Sequence, residues 1–407
     1  MRDAADVVIV GAGPAGLAAA RAAARSGADV LVLERSREVG FPGHSGGGTW
    51  IADMARLGVE ASYCNPIRVM RLASPHEDAL FEYDDPMACV LDIRGALQRQ
   101  AQLACDAGAR LRLSAAYQHP ILEDDEVTGC TAKADGGRLD ITARAIVDAT
   151  GFRAAVSRSL GLFGGFSRYG MGAEYDLNAP SWPSDECLFA MGSDVGLAGY
   201  GWVFPYGGRR ARVGVGVIKP TSPERPLDLL NRFITEHRLL RGRLDVNSAI
   251  ECHQGVVPSE PYAGPLGTGR MLVVGDAAGQ VSAIAGEGIR FALEAGGLAG
   301  RLIGEASVAG ASVADVVRTY QETWNRLHGK GLRLAHSINR RACEFDDASW
   351  DRWVRAASGL TPRTMASLLR GDFSVGLMLR VFSESPATAG SATLKTMLSR
   401  LRAGREQ

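Results

Sequence analysis

Residues 11–16 read Gly11-Ala12-Gly13-Pro14-Ala15-Gly16, a G-x-G-x-x-G set between a β-branched run at 6–10 and an alanine-rich stretch ending at Ser26-Gly27. The next apolar run, 29–33, closes on Glu34-Arg35. Strand, glycine turn, helix, strand and acid, in that order, form the signature of a dinucleotide site. Gly11 permits the tight turn, Gly13 lets a pyrophosphate approach the backbone, and Gly16 lets the helix pack on the strand. The helix start offers free N–H groups to the phosphates. Glu34 accepts hydrogen bonds from the adenosine ribose, and the free 2′-hydroxyl this requires excludes NADP here.

Other residues with chemical potential need further elements to bring them close. Ala145-Ile146-Val147-Asp148-Ala149-Thr150-Gly151 is a strand ending in a small-residue turn. Met271-Leu272-Val273-Val274 is another, ending in Gly275-Asp276, and Gly286-Glu287-Gly288-Ile289-Arg290 opens a helix expected to run to about Ile303. A helix-capping role is the plain alternative for Asp276. Val90-Leu91-Asp92-Ile93-Arg94 leads into an amphipathic helix ending near Gly108. Residues 163–206 hold 10 of the 27 aromatic side chains, among them Tyr200, Trp202 and Phe204. Arg212-Val213-Gly214-Val215-Gly216-Val217 alternates like a strand. The aromatics read either as the core of a β-sheet or as the lining of an apolar tunnel.

Bulk numbers exclude several classes. Lys plus Arg and Asp plus Glu both count 45, so the net charge is zero and nothing favours nucleic acid. Arginine outnumbers lysine 41 to 4, and the first lysine is Lys133. Seven scattered cysteines, odd in number and without a C-x-x-C pair, read as reduced thiols of a cytoplasmic protein, possessing neither disulfide framework nor zinc knuckle. Five residues before the first apolar run leave no room for a signal peptide. His328 and His336 share a helical stretch at a spacing unlike that of metal ligands, and no metal is expected. Glycine is in excess, 50 of 407 residues, where an ordinary chain has ~7%. Such an excess inside a packed chain points to backbone brought close to something.

Taken in order, the 11–16, 145–151 and 271–290 segments resemble the glutathione-reductase-type FAD fold. The resemblance implies FAD, with Asp276 on the ribityl chain and Gly286, Gly288 and Ile289 bringing N–H groups to the flavin and phosphates. Gly11, Gly13, Ala15, Gly16, Glu34 and Arg35 would serve the adenosine half. It also implies Arg94 as an FAD contact and, at or beside Tyr117, a backbone contact to adenine. Tyr200-Gly201-Trp202-Val203-Phe204-Pro205 resembles the Y-x-W-x-F-P block of the geranylgeranyl reductase family, which uses reduced FAD to saturate carbon–carbon double bonds of isoprenoid chains. That likeness covers roughly residues 1–310, including Gly40 to Gly48 near the flavin face. Three departures sit where substrate and flavin should meet: Leu197 for a proline, Ser45 for the family cysteine, and no proline in Ser282-Ala283-Ile284-Ala285.

The expected fold is α/β, a Rossmann-type FAD-binding domain with an inserted antiparallel β-sheet substrate domain and C-terminal helices. The FAD domain is discontinuous, 1–60, 86–160 and 255–310; the substrate domain takes 61–85 and 161–254; residues 311–407 are helical. The expected activity is reduction of an apolar isoprenoid or polyene double bond by hydride from reduced FAD, with Tyr200, Trp202 and Phe204 lining the substrate. Ser45, Gly46 and Gly48 would face the flavin. His44, beside the family cysteine position, is either the proton source or a loop histidine with a structural hydrogen bond. No second G-x-G-x-x-G follows a strand, so electrons would come from transient NAD(P)H or a protein donor. A hydroxylase is the main alternative, although Thr150-Gly151 stands where such enzymes carry Asp-Gly. A halogenase is disfavoured by the absence of lysine before Lys133, and a redox-neutral cyclase is a further alternative. A final amphipathic stretch with Leu394, Met397, Leu398 and Leu401 either packs on its own domain or rests on an anionic membrane surface. The oligomeric state is open.

Overall fold

The structure is a computed structural model and describes residues 2–43 and 45–386. His44 and the 394–401 stretch therefore lie outside the described residues.

The first apolar run forms the strand Arg2–Val10, four residues longer at its start than the 6–10 run. It lies between Gly137–Asp148 and Val30–Leu33, parallel to both. Met271–Val273 extends the parallel sheet on one side and Arg110–Arg112 on the other. Val30–Leu33 and Met271–Val273 are short and fully buried, as expected of parallel strands covered on both faces, and residues 7–10 and 145–148 beside them are buried too, whereas Arg110–Arg112 at the sheet edge is partly exposed. Register aligns their ends. Val10 stands opposite Asp148, and Asp148 opposite Val273. The three turns that leave these strands, at Gly11, Thr150-Gly151 and Gly275-Asp276, therefore emerge along one edge of the sheet. The carboxyl edge of a parallel sheet is where open α/β folds bind ligands.

Two helices cover this edge from one side. Pro14–Arg25 starts with proline at its first turn, and Ile289–Ala309 starts after Gly288. They meet through glycine. A methyl group at Gly296 would lie 2.0 Å from the Ala15 carbonyl oxygen, and one at Gly300 2.2 Å from that of Ala19. At Gly304 it would lie 2.8 Å from the Ala23 Cα. The sequence places the end of the second helix near Ile303. It continues instead to Ala309 because Gly304 is a packing residue, and the left-handed Gly310 (φ +66°) ends it.

A seven-stranded sheet forms the second layer, in the order Ala249–Pro258, Tyr169–Asn178, Arg210–Lys219, Gly199–Gly207, Glu186–Ala190, Val69–Ala73, Asp78–Glu82. It is antiparallel except where Glu186–Ala190 meets Val69–Ala73. Side chains alternate between its faces. One face carries Ala173, Val203, Val213, Val215 and Val217, all buried against Leu229, Leu230 and Phe233 of the helix Pro226–Glu236. The other carries Gly172, Glu174, Trp202, Phe204, Arg212, Gly214 and Gly216, and looks toward the cofactor edge. Between the layers, Gly48–Trp50, Ala88–Leu91 and Cys64–Ile67 make a three-stranded sheet. Among the described residues, five α-helices follow, from Val313–Trp324 to Val375–Glu384, with a π-helical turn at Asn325–Gly329. Val354, Met365, Leu377 and Val381 of the last ones share a buried cluster with Met70, Leu72, Phe81 and Phe204.

Candidate functional site

The cofactor edge is built largely by close backbone approach. Gly11 has φ +107°, and a methyl group there would lie 2.3 Å from the Ala149 carbonyl oxygen. A methyl group at Gly16 would lie 1.9 Å from the Gly11 carbonyl oxygen. Gly13 differs. Nothing in the protein lies within 4 Å of the place its side chain would take. The chain does not itself require glycine there; an incoming pyrophosphate does. The helix it precedes has no side-chain cap, so its first N–H groups stay available.

Both Glu34 oxygens accept backbone N–H groups, Oε2 from Ala12 at 2.9 Å and Oε1 from Ser36 at 2.7 Å. These bonds fix the carboxylate and leave further lone pairs for ribose hydroxyls. Arg35 beside it is exposed. The chain after Arg110–Arg112 returns over the same end, where the Ala115 N–H donates to the Glu34 carbonyl at 2.8 Å. Tyr117, two residues on, sits in the ladder opposite Ala132, and its hydroxyl meets Ser159 Oγ at 2.7 Å. Arg94, at the start of the helix Ile93–Asp106, is half exposed and pairs with Glu38 at 2.6 Å.

At the other end, Asp276 lies in a single 3-10 turn, Gly275–Ala278. Its carboxylate receives no hydrogen bond among the described residues. It keeps some exposed surface, yet surrounding protein pushes its pKa up to about 6. An unsatisfied acceptor beside Gly288, whose added methyl group would lie 3.4 Å from Asp276 Oδ1, suits a ligand hydroxyl. The helix from Ile289 again has no side-chain cap. A flavin dinucleotide fits this donor and acceptor set: open backbone at Gly13, an acid for the ribose, and a second unpartnered acid at the opposite end.

The turn into that second helix is tied down by charge. Buried Arg290 makes a double hydrogen bond to Glu287, at 3.1 and 2.9 Å, and donates to the Arg370 carbonyl at 2.9 Å. Arg370 in turn grips buried Asp53 at 2.9 and 3.0 Å. Burial opposes the charge on Asp53, yet Arg370, then Arg56 and Arg290, together hold its pKa below the ordinary value.

The aromatic face completes the site. Trp202 lies flat on a floor of glycine. A methyl group at Gly214 would fall 2.1 Å from its ring, and at Gly216 and Gly172 3.4 and 3.5 Å. Phe204 stacks on Trp202 with centroids 6.2 Å apart, and Tyr200 leans on it at 5.5 Å. The Tyr200 hydroxyl donates to the Ala285 carbonyl at 2.7 Å, and burial drives its pKa far upward, so it stays a phenol. Trp202 and Tyr200 are half-buried, whereas Phe204 is buried beneath Gly46 and Gly48. The 45–48 segment thus rests directly on the aromatic row. Ser45 Oγ accepts from the Gly47 N–H at 3.3 Å, and Arg212 donates to the Gly46 and Leu91 carbonyls at 3.3 and 2.8 Å.

The structure therefore brings Tyr200, Trp202 and Phe204 together with Gly46, Gly48 and the 284–288 turn. Arg94 pairs with Glu38 and Tyr117 with Ser159, not with members of that group. The sequence singles out neither Glu174 nor His253, and Arg212 only as the start of a strand; Phe189, one of the ten aromatics of 163–206, meets Phe204 at 5.3 Å. Their strands join only through sheet register, which has no local signal. One missed pattern was visible: Gly296, Gly300 and Gly304 recur every four residues, one stripe on a helix. Among the described residues no group of three or more His, Cys, Asp or Glu could hold a metal ion. None of the described helices is long and apolar enough to cross a membrane.

Comparison with known proteins agrees with this geometry. Residues 6–162 match the family model for FAD dependent oxidoreductases, and residues 171–257 that for the geranylgeranyl reductase catalytic domain. A digeranylgeranylglycerophospholipid reductase of Methanopyrus kandleri is 30% identical over 390 residues, 94% of this chain and 97% of that protein. One from Methanothermobacter thermautotrophicus is 30% identical over 93% of this chain and 99% of its own length. Among solved structures, a geranylgeranyl bacteriochlorophyll reductase-like protein of Thermoplasma acidophilum superimposes with a TM-score of 0.86 at 24% identity, covering 98% of this chain and all of its own. A myxobacterial chondrochloren halogenase shares the fold, with a TM-score of 0.66 at 18% identity over 98% of this chain and 96% of its own.

Proposed function

The chain belongs to the geranylgeranyl reductase family of FAD-dependent oxidoreductases, and on that footing we propose that it saturates carbon–carbon double bonds in the prenyl chains of a lipid. Its chemistry is FAD-dependent reduction of isoprenoid double bonds. The observation that carries the finer reading is the aromatic row on its glycine floor, next to the 45–48 segment and the Ala285 carbonyl. A prenyl chain has no polar group to grip along its length. It is held by apolar area and shape, which flat rings on a smooth sheet provide.

The bound cofactor supplies a hydride when reduced. The residues of this chain do the rest. Gly11, Gly13, Ala15 and Gly16 form the pyrophosphate turn, with Arg35 and Tyr117 at the adenosine end. Glu34 holds the ribose, Asp276 the ribityl chain, and N–H groups at Gly286, Gly288 and Ile289 the flavin end. Arg94 stands at the rim. Ser45, Gly46 and Gly48, beside the row, would face the flavin. Tyr200, Trp202 and Phe204 exclude water and align the double bond. Tyr200 remains protonated and fixed to Ala285. His44, outside the described residues, would be the proton source beside Ser45 in this reading. Electrons arrive from NAD(P)H in transient contact or from a protein donor, since the sequence holds one dinucleotide motif only.

A lipid substrate calls for access to a bilayer. Val375, Leu379 and Phe382 stand exposed at i, i+4 and i+7 of the helix Val375–Glu384. That stripe supports peripheral contact with a membrane surface. Co-sedimentation with vesicles checks it: Leu379→Glu with Phe382→Glu is expected to lower the bound fraction severalfold.

The reaction itself is tested anaerobically. FAD-loaded protein is reduced, and a geranylgeranyl lipid, a prenylated quinone or a conjugated polyene is added. Reoxidation of the flavin without oxygen, with a product two mass units heavier, is the expected result for the geranylgeranyl lipid. Reoxidation only with oxygen, with an oxygenated product, would replace this reading by a hydroxylase.

A further inference from the structure

The aromatic row has a polar support that the reaction chemistry above does not use. Trp202 Nε1–H points away from any open surface and donates to Glu174 Oε2 at 2.8 Å. Glu174 is 4% exposed. Its other oxygen meets His253 Nδ1 at 3.3 Å, and His253 Nε2 meets Glu251 Oε2 at 2.9 Å. Sheet register explains the meeting: Glu174 stands opposite Gly214 on one side and His253 on the other, and Trp202 stands opposite Gly214.

The proton count comes from the geometry. An imidazole between two carboxylates satisfies both only when both ring nitrogens donate, and both donate only in the imidazolium. A buried carboxylate without a counter-charge is strongly destabilising. His253 therefore supplies the charge that lets Glu174 stay ionised under Trp202. The glycine loop above rests on the same three groups. A methyl group at Gly46 would fall 3.0 Å from Glu174 Oε2 and 3.1 Å from Trp202 Nε1, and one at Gly43 3.1 Å from the His253 ring.

We propose that Glu174 is the positioning residue of the substrate face, fixing the Trp202 indole and seating Gly46, with imidazolium His253, against Gly43, as its counter-ion. The placement of a prenyl chain by Trp202 rests on the function proposed above; the Glu174–His253–Trp202 linkage does not. The charged groups that face this pair are Glu251 on the histidine's own strand, Asp176 beside Glu174, and Arg210 and Arg212 from the strand Arg210–Lys219. Arg210 pairs with Asp176 at 2.6 Å and reaches Glu251 at 3.7 Å. Glu174 first, then Glu251, holds His253 above its ordinary value, against the opposing effect of burial.

This device weakens with rising pH. The folded-state pKa of His253 is raised, so its stabilisation is complete below about 6.5 and is lost as pH climbs through the folded value. Two measurements on the FAD-loaded protein test the proposal. In the first, the His253 imidazole and the Trp202 indole N–H are followed by NMR from pH 5 to 9. The histidine is expected to titrate above 6.5, the indole resonance to move with it, and Glu174→Gln to lower the histidine value. A wild-type His253 titrating at or below 6.5, or an indole resonance indifferent to it, overturns the proposal without reference to any substrate. In the second, steady-state reduction of a geranylgeranyl lipid is measured over the same range. The KM of wild type is expected to rise toward pH 9. Glu174→Leu should raise KM about tenfold, the scale of one lost hydrogen bond to a charged acceptor, and lower kcat less. Glu174→Gln and His253→Gln should raise it about threefold and flatten its pH dependence. Variants that fold and keep the wild-type pH profile of KM would refute the positioning role. A wild type that reduces no prenyl lipid would defeat the proposed function instead, and the NMR titration would still decide the linkage.

Discussion

Glycine serves two different neighbours in this protein. Along the cofactor edge, the atoms that forbid a side chain are backbone: the Ala149 oxygen at Gly11, the Gly11 oxygen at Gly16, the Ala15 oxygen at Gly296 and the Ala19 oxygen at Gly300. On the aromatic face, the forbidding group at Gly214 is the Trp202 ring. Backbone cannot step aside, whereas a side chain can rotate at some cost. The first set of glycines therefore holds the fold together, and the second shapes a surface. Substitutions should separate the two.

The largest effect is expected at Gly300. In Gly300→Val the two helices cannot keep their approach, and stability should fall by about 3 kcal/mol or more. Thermal melting of the FAD-loaded protein would show it, together with release of FAD. A melting point within a degree or two of wild type would break the comparison. Trp202→Ala comes next, and it should leave the fold intact. Loss of an aromatic contact of about 1.5–3 kcal/mol raises KM for a prenyl lipid roughly ten- to hundredfold. Unchanged affinity would mean the chain does not lie on this face. Gly214→Ala tests the glycine floor itself. Its methyl group must displace the indole, so KM should rise about tenfold, with only a small change in melting.

Asp276 supplies the smallest and most selective test. Its folded-state pKa of about 6 lies above the ordinary 3.8. The native apoprotein thus binds a proton more readily than the unfolded chain between those values. This group alone makes the apoprotein more stable as pH falls from about 6 toward 4. Asp276→Asn should remove that slope and weaken FAD binding severalfold. Melting curves of both apoproteins against pH, and FAD titrations at pH 7.5, would check it. Identical slopes would show that Asp276 does not carry the charge assigned to it.

The same contrast governs what could be read in advance. The cofactor edge is written locally: Gly11, Gly13, Gly16 and Glu34 fall within one strand–helix–strand unit whose spacing is a signature, even though the Ala149 oxygen that closes on Gly11 comes from far along the chain. The α/β class and FAD followed from that unit and its two later echoes. The substrate face is assembled from strands at 169–178, 199–207, 210–219 and 249–258, and its partners are chosen by register. Trp202 was noticed because its block resembles a family pattern. Glu174 and His253 escaped because nothing near them in the chain calls for an acid or an imidazole. The helix expected to end near Ile303 runs on to Ala309, since Gly304 packs against Ala23 and does not end it. The last helices carried no cofactor motif, yet Met365 and Val381 share a core with Phe204.

The junction of Asp53, Arg290 and Arg370 sets an order in time as well as in space. Every residue assigned to the cofactor lies at or before Ile289, so all of them leave the ribosome well before Arg370 does. Arg370 stands 317 residues after the aspartate it grips. Until it arrives, a buried acid lacks its main cation, and the turn carrying Glu287 and Arg290 lacks the Arg370 carbonyl that anchors it. A growing chain therefore holds the complete set of cofactor residues before it can hold the cofactor firmly. Loading with FAD becomes a late event of synthesis, and a chain ended near residue 360 should emerge colourless.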